Sequence, residues 1–116
     1  MFSRGSSRQH LLYRKPCDMR KSFDGLSGLV SHELNRDPIS GEVFLFLNKR
    51  RTHLKLLHWE KDGFVLYYKR LEKGTFSPPD TSQQVEISWP ELVLMIEGIR
   101  MQKYSQNTRY SIPKKE

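Results

Sequence analysis

The segment from Gly41 to Phe76 constrains the fold more than any other part of the chain. Val43-Phe44-Leu45-Phe46-Leu47 is an unbroken β-branched and aromatic run of strand length. Asn48-Lys49-Arg50-Arg51 interrupts it with four polar residues, and an apolar pattern resumes from Thr52 to Trp59. Two strand-like runs joined by a short polar stretch read as a hairpin. Lys61-Asp62-Gly63 marks a second reversal, since Asp and Gly tolerate positive φ, and Phe64 to Arg70 follows as a third strand rich in Phe, Val, Leu and Tyr. Glu72-Lys73-Gly74 closes it, so the segment is expected to be an antiparallel β-meander.

The flanks supply cover for that meander. His10 to Lys15 is expected to form a short strand pairing with it, ended by Pro16. Asp18 is placed to cap a helix running to about Asn35, along which Met19, Phe23, Leu26, Val30 and Leu34 recur at spacings of three or four. Gly25 and Gly28 inside it cost ~1 kcal/mol each relative to Ala, which predicts a close approach to another element. Ser77-Pro78-Pro79-Asp80-Thr81-Ser82 is a loop, and Val85 to Ile87 a brief edge strand. Ser88-Trp89-Pro90-Glu91 has the spacing of a capping box, and Leu92, Met95, Ile96 and Ile99 follow as an apolar stripe, with Gly98 weakening the last turn. The expected fold class is α+β: a small antiparallel β-meander sheet packed by two α-helices in a single domain of residues 10–100. Leu26, Phe46, Leu56, Leu66 and Met95 are expected to share one core. Residues 1–9 and 101–116 lack periodic apolar positions and read as a disordered basic arm and tail.

A chain of 116 residues has room for one core and no separate substrate module. The single cysteine, Cys17, can make no intramolecular disulfide and no Cys-based zinc site, as expected of an intracellular protein. His53 and His58 lie five residues apart on one strand and so point to opposite faces, which argues against a shared metal. Asp18 and Asp24 do not share a helix face, and no phosphate-binding loop, nucleophile elbow or dinucleotide fingerprint occurs. The residues therefore point to no enzyme, cofactor, metal or small-molecule substrate. No apolar run approaches the ~20 residues that span a bilayer, so a cytoplasmic protein without membrane contact is expected.

What remains is charge. The chain carries a formal +7 with a pI near 9.7, and the charge is blocked along the sequence. Between Lys49 and Lys73, Lys49, Arg50, Arg51, Lys55, Lys61, Lys69, Arg70 and Lys73 stand against only Glu60, Asp62 and Glu72. Basic residues at strand ends clamp phosphates, or they keep turns soluble; composition alone leaves both uses open.

Five stretches carry a resemblance. They are Asp18 to Leu26 (DMRKSFDGL), Phe44 to Arg51 (FLFLNKRR), Leu54 to Trp59 (LKLLHW), Tyr68 to Phe76 (YKRLEKGTF) and Leu92 to Gly98 (LVLMIEG). In this order and spacing, over about Leu11 to Ile99, the chain resembles the TnpB family of small accessory proteins from bacterial insertion sequences of the sixty-six family. These are distinct from the RNA-guided nucleases that share the name. Ser22 stands where the family has Gly and Cys17 where Thr is common, and the basic arm and tail extend beyond the usual ends. The resemblance implies a protein encoded beside a larger transposase and needed with it for transposition. Arg20, Lys21, Lys49, Arg50, Arg51, Lys55, Lys69 and Arg70 fall in its motifs and are the candidate contacts to transposon-end DNA. The competing expectation is an adaptor that touches the transposase and other insertion-sequence proteins without contacting DNA.

Overall fold

Every residue of Val43–Leu47 is buried in the computed structural model of the chain, which describes residues 9–79 and 85–97. A strand that is apolar at every position has no face to give to water and needs cover on both sides. The element order that supplies it is β1 (His10–Leu12), α1 (Phe23–His32), β2 (Val43–Leu47), β3 (His53–Glu60), β4 (Gly63–Arg70), β5 (Glu86–Ile87) and α2 (Trp89–Glu97). The strands form one five-stranded sheet in the order β4-β3-β2-β1-β5. β2, β3 and β4 are the expected antiparallel meander, and the α+β class holds.

The pairing of the short strands adds what local pattern could not show. β1 runs parallel to β2, with α1 as the crossover between them, and β5 pairs antiparallel with β1. The core is correspondingly double. Leu26 and Val30 of α1 pack with Leu11, Phe44, Phe46 and Leu57, with Leu66 at the margin of that cluster. Leu92 and Met95 of α2 pack with Leu12, Val43, Leu45, Leu47, Leu54 and Leu56. The helices therefore lie on opposite faces of the sheet. The single core expected of Leu26, Phe46, Leu56, Leu66 and Met95 is two cores, because adjacent residues of a strand alternate between faces.

Local chemistry shifts several boundaries. α1 starts at Phe23, five residues after Asp18, and its N-cap Ser22 makes no side-chain capping bond. Asp18 instead folds a turn of its own, its Oδ1 accepting the backbone N–H of Arg20 at 2.9 Å, an Asx arrangement that competes with helix. The glycines mark no approach to another element. A Cβ at Gly25 would meet the Lys21 side chain at 3.1 Å, and one at Gly28 would meet nothing within 4 Å. In the β3–β4 turn the positive φ falls on Lys61, at 53°, and not on Asp62 or Gly63. The capping box forms as read: Ser88 N–H donates to Glu91 Oε1 at 2.8 Å and Glu91 N–H to Ser88 Oγ at 3.2 Å. Gln9, assigned to the arm, extends the fold by one residue, its carbonyl accepting the Val43 N–H at 2.9 Å. The rest of the arm, the loop at Asp80–Ser82, Gly98, Ile99 and the tail lie outside the described residues. Among the described residues no helix is long and apolar enough to cross a membrane.

Leu56 and Leu57 are chain neighbours that are both fully buried, one in each core. Leu56→Ala and Leu57→Ala should each lower unfolding free energy by about 2–5 kcal/mol in denaturant titration. A loss below about 1 kcal/mol for either would mean that its face of the sheet is uncovered.

Candidate nucleic-acid interface

The turn between β2 and β3 is built on Asn48. Its Oδ1 accepts the backbone N–H of Thr52 at 2.9 Å and of His53 at 3.0 Å, and its Nδ2 donates to Thr52 Oγ1 at 3.1 Å. The Arg51 N–H closes the turn on the Asn48 carbonyl at 3.0 Å, and the Arg51 carbonyl accepts the Phe76 N–H at 2.7 Å. Lys49, Arg50 and Arg51 ride on this frame, all exposed. Among the described residues none of the three has a carboxylate within ion-pair reach, whereas Arg20, Arg36 and Arg70 each do.

The strand register decides what joins them. His53 pairs with Arg70, so the end of β4 lies at the same end of the sheet as the β2–β3 turn. The parallel pairing of β1 with β2 brings the residues after β1 there too. Arg14, Lys15, Lys49 and Arg51 line one shallow cleft of about 160 Å³ with Tyr13, Pro16, Asn48 and Pro78. Lys15 is ion-paired to Glu33 at 3.3 Å and Arg14 donates to the Pro79 carbonyl at 3.2 Å. Arg14 and Lys15 were not among the sequence candidates. Their signal was the basic pair directly after Leu11-Leu12-Tyr13, legible only if β1 is taken as parallel to β2.

Arg20 and Lys21 stand on the turn above the α1 face of the sheet, both exposed. Arg20 grips Asp18 with Nε at 3.1 Å and Nη2 at 2.7 Å. This fork, with the Arg20 backbone N–H, holds the Asp18 carboxyl down to about 2. Because that lies below the ordinary value of ~3.9, the pairing is intact above pH ~4 and lost as pH falls through about 2.

Two candidates are spent inside the fold. Lys55 is 6 % exposed, and its ammonium donates to the carbonyls of Met19 and Lys21, each at 2.7 Å, with the Tyr68 ring centroid 4.5 Å away. It faces α1, and it ties the turn that carries Arg20 and Lys21 to β3. Lys69 faces the other way and donates to the Ile96 carbonyl at 3.1 Å, in the last turn of α2, where a cation complements the helix dipole. Lys49, Arg50, Arg51 and Arg70 are thus brought together, Arg20 and Lys21 flank them, and Lys55 and Lys69 are withdrawn.

Other chemistry is dispersed. His53 and His58 do face opposite sides of the sheet, as the strand period requires. Cys17 is buried, and burial pushes its thiol up. Among the described residues no three His, Cys, Asp or Glu side chains gather as a metal site would need.

A family model described as IS66 Orf2-like protein matches residues 8–106. The chain belongs to this family. IS66 Orf2-like proteins are accessory proteins associated with insertion sequences. Two relatives in Sinorhizobium fredii are similar to it. The uncharacterized protein y4jC is 35% identical over 86 residues, spanning 73% of this chain and 74% of the relative. The uncharacterized protein y4hO is 31% identical over 83 residues, spanning 71% and 72%. No solved structure is significantly similar to the chain. The match takes in every basic residue of the rim, from Arg14 to Arg70.

In this IS66 Orf2-like protein, Lys55→Met should cost about 1–3 kcal/mol in stability, since two carbonyls lose their donor. Arg50→Ala should stay within about 0.5 kcal/mol. Urea unfolding of both variants checks the contrast, and equal, small losses would mean that Lys55 does not tie down the Met19–Lys21 turn.

Proposed function

We propose that this IS66 Orf2-like protein is a non-catalytic accessory factor of transposition that holds transposon DNA against the basic end of its sheet. The observation that carries the reading is the Asn48 turn, which presents Lys49, Arg50 and Arg51 without carboxylate partners among the described residues. Arg51 supports it further. It keeps a φ of 60°, a conformation that costs a side-chain-bearing residue ~1–2 kcal/mol and a glycine little. A guanidinium held at that cost on a fixed turn suits phosphate contact, in which position and charge matter and base identity does not. Arg70, Arg20 and Lys21 extend the rim on the α1 side, and Arg14 and Lys15 extend it along β1. The ion pairs of Arg20, Arg70 and Lys15 are exposed, so exchanging their carboxylates for phosphates costs little.

Contact with ~4–6 phosphates gives a slope of about −4 to −5 in log affinity against log salt. Arg50→Ala with Arg51→Ala should flatten that slope by up to ~2, leave the fold intact and lower transposition. A wild-type slope in the double variant would remove the turn from the interface. If the unaltered protein shows no salt-dependent DNA binding and co-purifies with the transposase, the protein adaptor takes the place of the DNA-binding factor.

A further inference from the structure

The two edges of the sheet are unlike. β5 is two residues long, too short to template another strand. β4 runs for eight residues without a proline, in unbroken register with β3 from Gly63 to Arg70, and Phe64 to Tyr68 carries no charge. Natural edges are defended by shortness, proline, bulges or charge along the strand, and the middle of β4 uses none of these.

The register also says which backbone groups the edge presents. The Lys61–Asp62 turn closes on the Glu60–Gly63 pair, and the Leu71 N–H donates to the Thr52 carbonyl at 2.9 Å, in step with that pair. In an antiparallel ladder every second residue turns its amide and carbonyl to the partner strand. Gly63, Val65, Tyr67 and Lys69 therefore bond to β3, while Phe64, Leu66, Tyr68 and Arg70 turn their backbone groups outward. Among the described residues β4 pairs with β3 alone.

We propose that this edge joins a second copy of the chain, β4 against β4 and antiparallel, about a twofold axis at Leu66. That register sets outward residues opposite outward residues. It places Phe64 against Tyr68 and Asp62 against Arg70, each twice by symmetry, and Val65 against Tyr67. Aromatic and opposite-charge pairs of this kind are the favourable cross-strand contacts. Moving the axis to Tyr67 brings Asp62 toward Glu72, a like charge. Moving it to Val65 puts Asp62 against Tyr68 and sets Arg70 opposite position 60, where the chain has already turned back into β3 and no edge strand remains. The dimer doubles the five-stranded sheet and turns the two basic ends in opposite directions, because the joined strands run antiparallel.

Sedimentation and amide exchange of the full chain test this without reference to DNA. The expected result is a concentration-dependent dimer in which the amides of Phe64, Leu66 and Tyr68 slow on association, while those of Val65 and Tyr67 are protected at every concentration. Tyr68→Pro removes an outward donor and leaves the bonds to β3; it should weaken the dimer by about tenfold or more. Asp62→Lys and Arg70→Asp should each weaken it similarly, and the two together should restore it. A monomer at all concentrations, or a dimer indifferent to Tyr68→Pro and to both charge reversals, overturns the proposal. Failure of the paired reversal to restore association overturns the Leu66 register.

Discussion

β2 and the middle of β3 are buried on both faces, and this double burial governs the rest of the fold. Val43 to Leu47 and Leu54 to His58 are buried without a break. Both sides of the sheet must then be roofed, and the described residues hold two helices with which to do it. One has to cover each face. α1 reaches its face as the crossover of a parallel β1–β2 unit, and α2 reaches the other after β5 adds to the far side of β1.

The same constraint sorts the cations. On β3 and β4 the period of two sends Lys55 under α1 and Lys69 toward α2, and each spends its ammonium on backbone carbonyls of the covering layer. Lys49, Arg50 and Arg51 escape because they sit in the turn, which neither α1 nor α2 covers. A cation bonded to backbone carbonyls of the covering layer holds layers together, whereas a turn cation without a carboxylate partner among the described residues is available to an external anion. Basic residues from one stretch of sequence thus do two different jobs, and burial decides which.

What was legible in the sequence was local. The meander, the polar turn at Asn48 and the Ser88–Glu91 capping box each rest on neighbouring residues, and each formed as read. The start of α1 was misplaced because Asp18 offers its carboxylate to Arg20 and makes a turn before any helix begins. The parallel pairing of β1, the splitting of the core and the burial of Lys55 all depend on which distant segments meet. Only the assembled sheet decides those. Arg14 and Lys15 were hidden for that reason, although the residues themselves were in plain view.

The proposed DNA interface is the end of the sheet that carries the β2–β3 turn, with Arg20 and Lys21 on its α1 side. Backbone amide shifts of the isotopically labelled chain, followed while transposon-end duplex is added at low salt, test it most directly. The largest changes should fall on Lys49, Arg50, Arg51, Arg70 and the Arg14–Lys15 pair, with Lys61 to Gly63 at the opposite end undisturbed. Changes centred on the β3–β4 turn, or none while the duplex remains in excess, would contradict it.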